Sequence, residues 1–195
     1  MPRKYFMIGI VGKAGSGKST VARILSENYD FAIIDADKIG HSILEEIKEL
    51  ILKQFGHDIL SNNGKIDRNI LGNIVFKDSE KLKILNSIIH PEIKKKISQV
   101  IEITPEKLLV LDAALLFEMG CDEFCDYITL VEAPEKQIIE RLKKSRRWDE
   151  DKILSILKIQ ENLYQNKSKI DYIFFNNSDE EKLKKQIEFF INTVF

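Results

Sequence analysis

The sequence predicts an α/β fold, a five-stranded parallel sheet flanked by helices. Two observations carry that expectation. Five short apolar runs rich in β-branched or aromatic residues recur along the chain, and the segments between them place apolar residues at helical spacing. Strands alternating with helices give parallel pairing with crossover helices on both faces. At 195 residues the chain suffices for one complete core carrying an inserted subdomain, but not for two ordinary independent domains.

The strand candidates, in order, are Tyr5 to Val11, Phe31 to Ile34, Leu108 to Leu111, Tyr127 to Val131 and Tyr172 to Phe175. Helical spacing is clear at Ile43, Leu44, Ile47, Leu50 and Ile51, and again at Ile153, Ile156, Leu157 and Leu163. The interval between the second and third strands is too long for one crossover helix. Residues 38–107 are therefore expected to form a helical insertion, with a turn at Ser61-Asn62-Asn63-Gly64. Near the C-terminus, Leu183, Ile187, Phe190, Ile191 and Val194 form a stripe that docks a last helix on the sheet.

Thirty basic and 31 acidic side chains give a formal charge of −1. That balance lacks the broad positive field with which a general nucleic-acid binder displaces counterions, so no nucleic-acid partner is expected. No apolar stretch approaches the roughly 18 residues of a membrane span, so no membrane partner is expected either. The two cysteines, Cys121 and Cys125, are four apart, which fits neither a CxxC redox pair nor a zinc half-site. A reduced, cytoplasmic setting follows as the simplest reading.

The most specific signal is Gly12-Lys13-Ala14-Gly15-Ser16-Gly17-Lys18-Ser19-Thr20, which satisfies GxxxxGK[ST] directly after the first strand and directly before the helix-compatible stretch Val21 to Tyr29. Glycines at 12, 15 and 17 let the backbone turn tightly and aim its N–H groups inward, and the following helix presents its positive end to a phosphate. Lys18 is expected to bridge the β- and γ-phosphates of ATP, and Ser19 to ligate Mg²⁺. The loop alone does not say what receives the phosphoryl group.

The second strand ends in Ile33-Ile34-Asp35-Ala36-Asp37. In extended chain, residues two apart point the same way, so both carboxylates can face one site. In open α/β sheets that site lies outside the carboxyl ends of the strands, where the phosphate loop also emerges. Metal-assisted transfer needs a group to orient and deprotonate an acceptor hydroxyl and groups to hold the metal's waters. Asp35 and Asp37 are the candidates for these tasks, and the plainer reading is a solvated strand end with Asp35 capping the next helix. Asp112, after the third strand, occupies the place of a magnesium-holding aspartate or of a strand-end cap.

In order and spacing, GKAGSGKST, IDADKIGHSIL, FG, NGKIDRNILGNIVF, IIHP and AALLFEMG resemble the dephospho-CoA kinases, and the likeness continues through Ile138 to Leu142, Gln160, Asp171 and Asn176-Asn177. It covers roughly residues 6 to 190. The resemblance implies a P-loop kinase fold with core, helical substrate-binding domain and lid, and transfer of the γ-phosphoryl of ATP to the ribose 3′-hydroxyl of dephospho-CoA. It implies that Asp37 is the catalytic aspartate of a DxD pattern. It also implies that His90, Leu115, Leu116 and Glu118 lie on the substrate side. Ala114 stands where the family usually has proline, and the second lid arginine is displaced, so that Arg146 or Arg147 is its equivalent.

Arg141, Lys143, Lys144, Arg146 and Arg147 mark residues 141–152 as a lid able to bring guanidinium groups onto the γ-phosphoryl. A charged surface helix is the plainer reading of any one of them. A nucleoside or nucleoside-monophosphate kinase of the same architecture is the nearest alternative; a nucleotide switch is another, though no NKxD or DxxG motif stands at suitable positions. His41, His57 and His90 lack metal-ligand spacing. A monomer is favoured.

Overall fold

The computed structural model describes residues 4–177 and 179–195. The chain divides into two compact units, one built from the segment up to Asp35 together with that from Ile103 onward, the other comprising Ala36–Glu102.

The first unit is organised by five strands, β1 (Phe6–Val11), β2 (Ala32–Asp35), β3 (Leu108–Asp112), β4 (Tyr127–Glu132) and β5 (Tyr172–Phe175), all parallel and ordered β2-β3-β1-β4-β5. The central strand β1 has five successive buried residues because both of its faces are covered, which is why it reads as a continuous apolar run rather than an alternating one. Gly9 in its middle has no room for a side chain, since a Cβ there would sit 2.7 Å from Cys125 Sγ and 3.1 Å from Leu116 Cδ2.

Helix α1 (Lys18–Tyr29) turns Val21, Ala22, Ile24 and Leu25 into a core shared with Ile8, Ile10, Val110, Val131 and Phe174. The last helix, here α8 (Glu180–Val194), completes that core with Leu183, Ile187, Phe190 and Ile191, the stripe expected from the sequence. Each side chain buried fully in this way contributes about 1.5–3 kcal/mol. Phe195 closes the end of the layer on Phe6, with ring centroids 4.8 Å apart. Next to β4, α6 (Glu135–Arg146) and α7 (Glu150–Ile159) form a hairpin with a separate small cluster of Ile138, Leu142, Ile153 and Leu157. A 3₁₀ segment, Gln160–Lys169, leads from it to β5.

The second unit is helical, with α2 (Ala36–Glu46), α3 (Lys48–Phe55), α4 (Arg68–Val75) and α5 (Ser79–Ile103, running just past its end). The Asn-Gly turn forms as its chemistry dictates: Gly64 takes φ 73°, Ser61 and Lys65 pair, and Leu60 bridges Ile66. Asp67 caps α4 by accepting from the Asn69 and Ile70 amides. One expectation is corrected here. Asp37 does not share an extended run with Asp35, because α2 begins at Ala36 and puts Asp37 in its first turn. Alanine is the strongest helix former, no breaker intervenes, and a carboxylate suits the positive end of a helix. Among the described residues no helix is long and apolar enough to cross a membrane.

Candidate active site

The phosphate loop leaves the carboxyl end of the central strand, beside β3, where the direction of the connections reverses. Its shape depends on residues that cannot carry a side chain. Gly17 has φ 105°, and a Cβ there would fall inside the Asn176 amide; one on Gly12 would press within 2.6 Å of Val131 O and 2.7 Å of Ser16 Oγ. Lys13 O accepts from Ser16 N at 3.1 Å, and Gly17 O from Thr20 N at 3.0 Å, so the loop passes into α1 without a break. Ser16 Oγ is buried with no hydrogen-bond partner among the described residues. Asn176, just after β5, donates to Ser16 O at 2.7 Å and fixes the loop from the far side.

On the sheet side, Ser19 Oγ donates to Asp112 Oδ2 at 2.7 Å. Asp35 is the register partner of Asp112 in the neighbouring strand. Lys18 is buried, with its ammonium 3.5 Å from Lys13 O. A hydroxyl and two carboxylates form an all-oxygen donor set that suits magnesium, a hard cation that keeps several waters and takes the rest of its shell from phosphates. Among the described residues there is no group of three or more His, Cys, Asp or Glu placed to hold a metal ion.

The hairpin side works through the loop's backbone. Arg141 sits within α6 rather than at a mobile tip, and its Nη groups donate to Gly15 O and Ser16 O at 3.3 Å and to Asn176 O at 3.2 Å. The backbone amide of Ala14, within the phosphate loop, donates to Gln160 Oε1 at 2.8 Å. The Lys13 ammonium lies 5.5 Å from the centre of the Tyr164 ring. Lys13 and Tyr164 line a cavity of about 150 Å³ together with Ser16, Glu132, Glu135 and Ile138. Burial, then the Glu132 and Glu161 carboxylates, push the Tyr164 phenol up. Only Arg147, Trp148 and Asp149 separate α6 from α7, so the expected lid is a tight helical hairpin; Arg146 lies over Trp148 at 4.9 Å, and Arg147 takes the left-handed cap at φ 54°.

The AALLFEMG stretch forms a compact turn after β3, with Met119 N bonded to Leu115 O and Cys121 N to Leu116 O. Leu116, expected on the substrate side, is fully buried and packs its side chain under Gly9 of β1, where it anchors the turn. Leu115 is half-buried. Neighbouring atoms displace part of the water around the Glu118 carboxyl and push it above the ordinary range, although the residue as a whole is exposed. Asp37 and His90 belong to the helical unit, His90 within α5 immediately before Pro91. Sequence reasoning gave no role to Asn176, Gln160 or Tyr164; the first two lay inside the motif series and were the available signal.

A glycine loop of this form at the end of the central strand, with a serine and an aspartate paired beside it, defines a P-loop nucleotide-binding fold, and the family match below makes the class a P-loop kinase, with a nucleotide as phosphoryl donor. Within that class the chain belongs to the dephospho-CoA kinase family, whose model matches residues 6–182. It is 40% identical over 192 residues to the dephospho-CoA kinase of Borreliella burgdorferi, covering 96% of this chain and 94% of that one. Among solved structures, a Thermus thermophilus protein matches with TM-score 0.82 and 25% identity over 99% of this chain and 100% of its own. The dephospho-CoA kinase from Campylobacter jejuni matches with TM-score 0.64 and 25% identity over 98% of each chain.

Proposed function

We propose that this chain transfers the γ-phosphoryl group of ATP to the ribose 3′-hydroxyl of dephospho-CoA, giving CoA and ADP, the last step of CoA synthesis. The observation that carries the reading is the 2.7 Å pair of Ser19 and Asp112 at the mouth of the phosphate loop, in a chain matched over residues 6–182 by the family named for that reaction. In the transfer, the bond from the 3′-oxygen to phosphorus forms while the β–γ bridging bond breaks, and the hydroxyl proton leaves through a carboxylate.

Lys18 steadies the β- and γ-phosphates. Ser19, Asp112 and Asp35 would hold Mg²⁺, which would neutralise charge on the phosphates during transfer. Asp37, which leaves β2 two residues past Asp35, orients the acceptor hydroxyl and takes its proton; a loose transition state demands little basicity until late. The helical insertion at 38–107, His90, Leu115 and Glu118 serve the dephospho-CoA side, and the 141–152 hairpin serves as lid. Arg141 brings its charge against the carbonyls of Gly15 and Ser16, so the loop's anion cradle is more positive than its amides alone make it, and Arg146 is the guanidinium nearer the tip. A monomer in the cytoplasm fits these parts.

The direct test is ADP release from Mg·ATP with dephospho-CoA, AMP, a nucleoside or no acceptor. Stimulation by dephospho-CoA alone, with CoA as product, is expected; stimulation by AMP or release without acceptor overturns the reading. Asp37→Asn is expected to lower kcat by about 10²- to 10⁴-fold while ATP affinity holds. Normal turnover would remove the assignment.

A further inference from the structure

We infer that Gln160 is a positioning residue for the phosphate loop, fastening it to the α6–α7 hairpin. The inference rests on the kinase reading only for its consequence in catalysis; the fastening itself stands on geometry. Gln160 is the C-cap of α7, where its backbone N–H bonds back to Ile156 O and Lys158 O, and that defined helix end directs its side chain. The carboxamide oxygen accepts from Ala14 N at 2.8 Å, joining residues 146 apart.

Three further contacts meet at the same place. The Ala14 methyl packs on the hairpin's own cluster of Ile138, Leu142, Ile153 and Leu157. A side chain on Gly15 would come within 3.0 Å of Leu142 Cγ, so the loop lies directly against α6. One turn beyond Gln160, Tyr164 receives the Lys13 ammonium on its ring. Residues 13 to 15 are thus held by the hairpin and by the segment that follows it. Of these contacts, Gln160 supplies the directional one: an amide pointing at a fixed acceptor sets the rotation of the peptide between Lys13 and Ala14, and through it the direction in which the next loop amides point.

Holding the loop in its binding shape reduces the ordering that a nucleotide must otherwise impose. Such a residue affects binding of ground state and transition state alike. Its loss therefore appears in KM for ATP, with kcat and KM for dephospho-CoA little changed. Removing the acceptor also leaves the Ala14 amide unpaired.

The experiment compares Gln160→Leu and Gln160→Glu with the wild type by hydrogen exchange of residues 12–17 in nucleotide-free protein, and by steady-state kinetics. In Gln160→Leu the Ala14 amide is expected to exchange about tenfold faster, and KM for ATP to rise by about tenfold with kcat within about twofold. Gln160→Glu keeps an oxygen at the same reach and is expected to retain the exchange protection, a rescue that a purely space-filling role does not predict. Unchanged exchange in Gln160→Leu, or equal loss of protection in both variants, overturns the inference. So does a fall in kcat with KM for ATP unchanged. Should Gln160→Leu not fold, Gln160→Glu decides alone, by keeping or losing protection. A wild type that makes no CoA defeats the kinase reading and leaves the exchange result to stand by itself.

Discussion

The two flanks of the phosphate loop are held by different physics. On the sheet flank the loop continues a fully buried strand, passes into a helix whose apolar face is sealed in the main core, and ends at Ser19, bonded to Asp112. On the hairpin flank, α6 and α7 share a small cluster of buried apolar side chains and grip the loop with polar groups, Arg141 on its carbonyls and Gln160 on an amide. The first flank is stable because it excludes water over a wide area. The second is directional, and its grip on the backbone can be adjusted at modest cost, since individual hydrogen bonds contribute about 0.5–1.5 kcal/mol net. A kinase needs both: a cradle that does not deform and a neighbour that can.

The largest expected effect lies on the sheet flank. Lys18→Ala is expected to lower kcat/KM for ATP by about 10³-fold, the scale of losing one preorganised charge at a transferring phosphoryl group, in a protein that still melts cooperatively. A loss below about tenfold shows that the hairpin, rather than the buried lysine, carries the phosphate. Next come the two apolar clusters. Phe174→Ala, in the main core, is expected to cost about 3–5 kcal/mol in denaturant unfolding, and Leu157→Ala, in the hairpin, about 2–3 kcal/mol together with a rise in KM for ATP. If the order reverses, the hairpin is the more stable element and the contrast fails.

The smallest effect concerns Glu118. Its carboxyl is raised by desolvation, so the folded state holds a proton that the unfolded chain has already released. Stability is therefore greatest below the ordinary glutamate value of 4.5 and falls as pH rises through the raised value. Glu118→Gln is expected to be the more stable protein at pH 7, with its advantage vanishing below pH 4.5 in paired thermal melts. An advantage that persists at low pH would locate the cause in packing rather than charge.

Much of this was readable in the chain. All five strands fall within two residues of the apolar runs, because strands buried on both faces have continuous β-branched and aromatic sequences that little else imitates. The phosphate loop and the Asn-Gly turn were visible because their backbone demands residues that few alternatives satisfy. Asp37 was misplaced by one element: nothing in Ile34-Asp35-Ala36-Asp37 marks where extended chain stops, and boundaries depend on tertiary context more than on propensity. The clasp of Asn176 on Ser16 and of Gln160 on Ala14 was hidden for another reason. A contact between residues 146 or 160 positions apart leaves no periodicity, so these side chains read only as polar residues in a motif. The basic run 141–147 shows in the sequence as charge alone; that Arg141 reaches the loop carbonyls and Arg146 lies over Trp148 depends on the packing of the hairpin.

The position of β1 at the centre of the sheet, covered by α8 from the other end of the chain, also fixes an order of events during synthesis. At 5–20 residues per second, roughly 10 to 40 s pass between the emergence of Val11 and that of Val194. Throughout that interval Ile8 and Ile10 lack the Phe190 and Ile191 cover that will keep water from them. Val21, Ile24, Leu25 and Phe31 follow within about 25 residues, so the first part of the cover is local and early, and the seal made by the last helix is the final step in closing this core.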